Sequence, residues 1–292
     1  MSKIVVIVNM QASQAARLER SLESYFAETG IAVERIFYAD DKESIERCFD
    51  QALALKPEVI VLGGGDGTLN SGMKWFGEHG YTGRFGVLPL GTSNYLARNL
   101  NIPLGLSEAI KHLRVGQPLT LRFGVANDVE FSLLITVGYT TRVSARVDTE
   151  QKKALGQGAY VAEGVRQLAK AKAFDYVISL DGGRQLRGQA AQISVYRADI
   201  NQQVLLTPTS TLRAETLKLV IHRAEAGFWA VIASVALYAL SFGRVRRNMT
   251  VANFTRAEIK TAVQKDVAVD GEVATATPLS VRLADHTYDV IA

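Results

Sequence analysis

Residues 57–70 read Pro57-Glu58-Val59-Ile60-Val61-Leu62-Gly63-Gly64-Gly65-Asp66-Gly67-Thr68-Leu69-Asn70. Val59 to Leu62 is a run of four apolar residues, the pattern of a parallel strand buried on both faces. The glycines end it, and helical spacing begins near Leu69. Strand, glycine loop and helix in that order form the repeating unit of a parallel α/β sheet, whose ligands bind beyond the carboxyl ends of the strands. Gly63 begins at that end. Successive glycines let the backbone approach a phosphate and aim N–H groups at it, and the helix N-terminus behind them adds its positive dipole end. The loop therefore reads as a phosphate cradle. It is not a Walker loop, because the chain has no GxxxxGK[ST], and its spacing is not GxGxxG. An aspartate in an anion site repels the ligand unless a cation bridges them, so Asp66 implies Mg²⁺ carried with a nucleotide. The plainer reading is a tight turn with Asp66 as a helix cap.

Upstream, residues 4–8 form an apolar run, 13–26 show helical spacing, 31–37 are strand-like and 42–55 are helical. Downstream come a strand at 85–88 and helices at 93–99 and 106–115. This alternation predicts right-handed βαβ units. From about Leu119 the texture changes to alternating stretches at 119–125, 130–137, 176–180, 191–196 and 216–221, which predict antiparallel sheet interrupted by one helix at 158–170. The expected organisation is an α/β domain over residues 1–121 and a β-rich domain over 122–292. With no Pro-rich linker between them, the two are expected to share a cleft.

Of 292 residues, 48% are hydrophobic and 21% charged, and 33 Lys and Arg stand against 29 Asp and Glu, a net charge of +4. That composition excludes a mainly disordered chain, and the charge is too small and too dispersed to imply nucleic acid. The single cysteine, Cys48, cannot form an internal disulfide, and no Cys/His pair among four histidines has zinc spacing. The first apolar run is too short for a signal peptide. These features predict a cytoplasmic protein. Residues 226–243 (AGFWAVIASVALYALSFG) carry no charge and are followed by Arg244, Arg246 and Arg247. They read as a buried helix or as an interfacial one resting on anionic lipid, and less well as a membrane span.

Two further motifs carry chemistry. Pro89-Leu90-Gly91-Thr92-Ser93-Asn94 follows a second strand, so Gly91 and Thr92 face the same crevice as the first loop; alternatively Thr92 or Ser93 only caps the next helix. Asp270-Gly271-Glu272 is, taken alone, a common hairpin turn.

Together and in this order, the three motifs resemble the diacylglycerol-kinase catalytic-domain family, which includes bacterial soluble lipid kinases and the sphingosine and ceramide kinases. The similarity continues through residues 138–143, 155–160 and Pro208. It implies an N-terminal nucleotide domain like the sheets of phosphofructokinases and NAD kinases. A C-terminal antiparallel β-sandwich receives the lipid, and about ten final residues return to the first domain. It further implies that Asn9, Gly64, Gly65, Asp66, Gly67, Thr68, Asn70, Gly91 and Thr92 bind ATP, that Asp66 meets Mg²⁺ through Mg-ATP, and that Glu272 is the base taking a lipid hydroxyl proton. Asp66 and Glu272 are thus the catalytic candidates, with a lipid at the inner membrane face as the partner. The chain departs from the family pattern at Met10, Ala39, Ser71 and Ala214-Glu215, the last where some members hold a second Mg²⁺. A weakened lipid-binding or regulatory protein of the same fold, and an NAD kinase, are the competing functions.

Overall fold

The computed structural model describes residues 3–15, 22–138, 173–197, 212, 214–223 and 249–292. Contacts divide the chain into two compact units, Met1–Arg122 with Asp285–Ala292, and Phe123–Ala284.

In the first unit, strands β1 (Ile4–Asn9), β2 (Arg35–Ala39), β3 (Val59–Gly64) and β4 (Arg84–Pro89) alternate with helices. These are α1 (Leu22–Thr29), α2 (Lys42–Ala54), α3 (Asp66–Glu78), α4 (Tyr95–Asn99) and α5 (Leu106–Val115). With β5 (Pro118–Leu121) and the final strand β17 (Tyr288–Ile291), the sheet order is β2-β1-β3-β4-β17-β5. All neighbours are parallel except β17 and β5. Every residue of β3 is buried, as expected of the strand flanked by β1 and β4. α2 starts at a capping box in which the Asp41 carboxylate accepts the Ser44 amide at 2.7 Å and Ser44 Oγ accepts the Asp41 amide at 2.9 Å. α3 starts on Gly65, and no side chain caps it.

The second unit is antiparallel. Its strands are β6 (Gly124–Ala126), β7 (Val129–Phe131), β8 (Leu134–Gly138), β9 (Phe174–Leu180), β10 (Arg184–Tyr196), β11 (Leu217–Arg223), β12 (Met249–Phe254), β13 (Arg256–Thr261), β14 (Asp266–Val269), β15 (Glu272–Ala276) and β16 (Leu279–Leu283). The long strand β10 joins two sets of strands in one sheet. Its second half pairs with β8 and β11, and through them with β14, β15 and β12. Its first half pairs with β9, which leads to β13, β16, β6 and β7. A register shift between Ala190 and Gln192 lies where the first set of pairings gives way to the second, as bulges do where a strand bends. Both sets of strands contribute to one apolar core, with Ile193, Val195, Leu219, Ile178, Ile259 and Val281 buried in a single cluster. This is the antiparallel sheet expected from the alternating stretches.

Several element boundaries differ from the sequence reading. α3 begins at Asp66, three residues before Leu69, so the aspartate belongs to the helix and not to the loop. The stretch 119–125 is two strands, β5 in the first unit and β6 in the second. The stretch 130–137 is also two, β7 and β8, broken at Ser132-Leu133. Residues 13–15 form a turn, where a helix had been read from 13. Residues 139–143 and 155–160, the helix at 158–170, Pro208, and the segment 226–243 with Arg244, Arg246 and Arg247 lie outside the described residues. Among the described residues no helix is long and apolar enough to cross a membrane.

Candidate functional site

β3 and β4 end side by side, Gly63 opposite Leu88 and Gly64 opposite Pro89, so the two glycine loops leave the sheet together. The Leu90 amide donates to the Gly64 carbonyl at 2.9 Å. Beyond that bond the backbones nearly touch: a Cβ on Gly91 would stand 2.5 Å from Gly65 Cα. No L side chain fits there, which accounts for glycine at Gly91.

Polar side chains fix the second loop. Asn94 Oδ1 accepts the Gly91 amide at 2.9 Å, while its Nδ2 donates to the carbonyls of Gly91 at 2.9 Å and Pro89 at 3.3 Å. From the turn after β1, the Gln14 amide donates to the Leu90 carbonyl at 2.9 Å and Gln14 Nε2 to the Gly91 carbonyl at 2.8 Å. Ser13 Oγ lies 3.0 Å from Thr92 Oγ1. Sequence reasoning missed Ser13, Gln14 and Asn94. Through these contacts the turn after Asn9 braces the second loop.

The first loop is held by two of the candidates. Asn9 Nδ2 donates to Thr68 Oγ1 at 2.9 Å. Asp66 Oδ1 accepts the Leu96 amide at 2.9 Å, so this carboxylate does cap a helix, α4, in addition to standing in the first turn of α3. Asn70 follows one turn later on α3, and Ser71 Oγ donates to the Thr68 carbonyl at 3.2 Å.

The three glycines within α3 divide sharply. A Cβ on Gly72 would press on Leu62 at 2.8 Å, and one on Gly77 on Tyr288 at 3.0 Å. Gly67, in the first turn and exposed, has nothing within 4 Å of that position. Glycine inside a helix costs about 1 kcal/mol relative to alanine. At Gly67 no packing among the described residues accounts for that cost. An open approach to uncapped amides at a helix N-terminus, flanked by a second glycine loop, fits a phosphate group. One carboxylate beside it fits Mg²⁺, which is bound through one or two carboxylates together with substrate phosphates. Among the described residues no group of three His, Cys, Asp or Glu side chains is assembled.

The family model for the diacylglycerol kinase catalytic domain matches residues 3–126. That stretch is therefore similar to the diacylglycerol kinase catalytic domain. A YegS-like lipid kinase of Klebsiella pneumoniae (strain 342) is 34% identical over 129 residues, 44% of this chain and 43% of the relative. A diacylglycerol kinase of Staphylococcus carnosus (strain TM300) is 31% identical over 132 residues, 45% and 43% respectively. The match thus spans less than half the length of these curated relatives. The likeness of fold extends further. A Bacillus anthracis (strain Sterne) structure named as a diacylglycerol kinase aligns with a TM-score of 0.73 at 16% identity, covering 99% of this chain and 96% of its own. An NAD kinase of Archaeoglobus fulgidus, solved with ATP, aligns with a TM-score of 0.51 at 13% identity, covering 99% and 93%. At these identities the structures speak for the fold alone.

The remaining candidate, Glu272, lies in the second unit and outside the family match. Asp270 and Gly271 form a two-residue loop between β14 and β15 with φ of 48° and 100°, the positive values a type I′ hairpin turn requires. The hairpin reading of this motif is correct as local structure. Glu272 is the first residue of the exposed edge strand β15 and pairs with Val269. Asp270 is turned inward. Its Oδ2 accepts the Ser132 amide at 2.8 Å and Ser132 Oγ at 3.4 Å, and its Oδ1 accepts the amides of Leu133 at 2.9 Å and Leu134 at 3.0 Å. Burial pushes the Asp270 carboxyl up from the ordinary carboxylate value, against the opposite pull of these donors. Ala214-Glu215 sits in the bend before β11, and Ala39 is buried at the end of β2 with its carbonyl accepting the Met10 amide at 2.8 Å.

Proposed function

We propose that the chain is an ATP-dependent kinase that phosphorylates a hydroxyl of a diacylglycerol-like or sphingoid lipid at a membrane surface. The observation that carries this reading is Gly67, a helical glycine with open space before the uncapped N-terminus of α3, within a stretch similar to the diacylglycerol kinase catalytic domain. Bound Mg-ATP would supply the phosphoryl group and the charge that neutralises it in transfer. Gly64, Gly65, Gly67 and Thr68 offer backbone amides to the phosphates, with Gly91 and Thr92 completing the cradle. Asn9 steadies the first loop through Thr68, and Asn70 contributes to binding the nucleotide. Asp66 would hold Mg²⁺, with Oδ1 committed to the Leu96 amide. Glu272 orients the acceptor alcohol and takes its proton, since an alcohol is a poor nucleophile until a carboxylate within hydrogen-bond reach removes that proton.

The test is direct. The protein is incubated with Mg-ATP and separate pools of diacylglycerol, sphingoid base, ceramide and NAD. Transfer to one of the lipids, lost in Glu272→Gln by about 10²- to 10⁴-fold with ATP affinity retained, is the expected result. Transfer to NAD alone, or to none of the four, rejects the reading.

A further inference from the structure

Glu272 starts an edge strand, β15, whose only strand neighbour among the described residues is β14. A hairpin end at a sheet edge frays unless something else holds it. Here the holding is done by the residue two positions earlier. Through four contacts to its carboxylate, and through its own amide donating to the Leu134 carbonyl at 2.9 Å, Asp270 fastens the hairpin turn to the break between β7 and β8. The break is secured from its other side as well, because the Leu133 carbonyl accepts the Arg197 amide at 2.8 Å.

We infer that Asp270 is a positioning residue for Glu272, its carboxylate clamping the turn so that the glutamate is presented in one place. The inference rests on the reading of Glu272 as the base. The second unit contains a built-in comparison. At the Asp181-Gly182 turn between β9 and β10, Asp181 Oδ1 accepts the Thr255 amide at 2.9 Å, Thr255 Oγ1 at 2.7 Å and the Arg256 amide at 3.0 Å. The Asp181 amide donates to the Arg256 carbonyl at 2.8 Å. The second unit therefore uses one device at two Asp-Gly turns. A purely structural clamp predicts equivalent consequences at both, whereas a positioning clamp predicts a catalytic consequence at Asp270 alone.

The experiment measures kcat, nucleotide affinity and amide exchange in Asp270→Asn, Asp181→Asn, Glu272→Gln and the Asp270→Asn/Glu272→Gln double variant of the full chain, with the best lipid acceptor. Asparagine keeps the volume at 270 but replaces one acceptor oxygen by a donor, so it cannot receive both Ser132 and the Leu133-Leu134 pair. Asp270→Asn is expected to lower kcat by up to about 100-fold, the size of effect a misplaced catalytic group produces, with nucleotide affinity unchanged. It is expected to lower it no further in the Glu272→Gln background, and to speed exchange at the Leu133 and Leu134 amides. Asp181→Asn is expected to leave kcat unchanged. If Asp270→Asn fails to fold, Ser132→Ala, which removes one contact and keeps the others, carries the same comparison on a smaller scale. Additive losses in the double variant, an equal kcat loss in Asp181→Asn, or unprotected Leu133 and Leu134 amides in the native chain would overturn the inference while leaving the kinase reading in place. A native chain that phosphorylates none of the lipids would overturn both.

Discussion

Gly67 and Asp66 are neighbours in the first turn of α3, and their substitutions separate binding from folding. Gly67→Ala adds a methyl group where the described residues leave nothing within 4 Å, and it raises helix propensity by up to about 1 kcal/mol. The expected outcome is a protein at least as stable in thermal unfolding whose nucleotide affinity, read by titration calorimetry, is more than about tenfold weaker. The loss corresponds to about one charge-assisted hydrogen bond to phosphate. An unchanged affinity would show that the first turn is not the phosphate contact. Asp66→Asn keeps an acceptor for the Leu96 amide and removes the charge. Turnover should fall by a large factor and recover in part as Mg²⁺ is raised, with circular dichroism unchanged. Asp66→Ala should in addition lose about 0.5 to 2 kcal/mol of stability, because α4 loses its cap. The sequence placed both residues at the site but assigned Asp66 either to a metal or to a cap. The structure leaves α3 without a side-chain cap and shows instead a bond to the Leu96 amide of α4, 30 residues away, a partner that no local pattern specifies.

At the scale of elements, the two Asp-Gly turns govern the antiparallel sheet. The donors around Asp181 hold its carboxyl below the ordinary value of 3.8, chiefly the Thr255 hydroxyl and amide. A depressed folded-state pKa contributes stability that is present above the unfolded-state value and lost as pH falls through the folded-state one. Urea unfolding of native protein and Asp181→Asn should therefore differ at pH 6, with the gap closing as the pH drops below 3.8. A gap independent of pH would mean that the carboxylate charge contributes nothing there. The stretches 119–125 and 130–137 show the limit of reading elements from alternation. Period-two patterning continues across Arg122-Phe123 and Ser132-Leu133, so each stretch reads as one strand. The second break is imposed by Asp270, 138 residues from Ser132, and the first by the passage from one compact unit to the other.

For the whole molecule, the proposed lipid acceptor requires a means of reaching a membrane surface. Residues 226–243 and the arginines at 244, 246 and 247 form an apolar stretch beside a basic cluster in the sequence. Docking would draw on apolar burial, with about 1 kcal/mol from each arginine near an anionic surface. Flotation with vesicles should show reversible binding that requires anionic lipid, weakens with salt, and drops in the Arg244→Ala/Arg246→Ala/Arg247→Ala variant. Equal recovery with neutral and anionic vesicles, unaffected by the substitutions, would reject docking and leave the kinase reading untouched.

The alternation of buried strands and amphipathic helices was legible in the sequence, because a parallel strand covered on both faces must be apolar along its length, as Val59 to Leu62 are. The glycine loops were legible for a related reason: close backbone approach excludes side chains, and that exclusion is written in residue type. Tertiary structure alone decided three matters. It placed β17 between β4 and β5, since a four-residue strand carries no mark of which neighbours it pairs with. It brought Ser13 and Gln14 onto the second loop across more than seventy residues. It also turned the Asp270 carboxylate inward and left Glu272 at the surface, because the hydrogen-bond donors that distinguish two acidic residues in one motif come from a distant strand break.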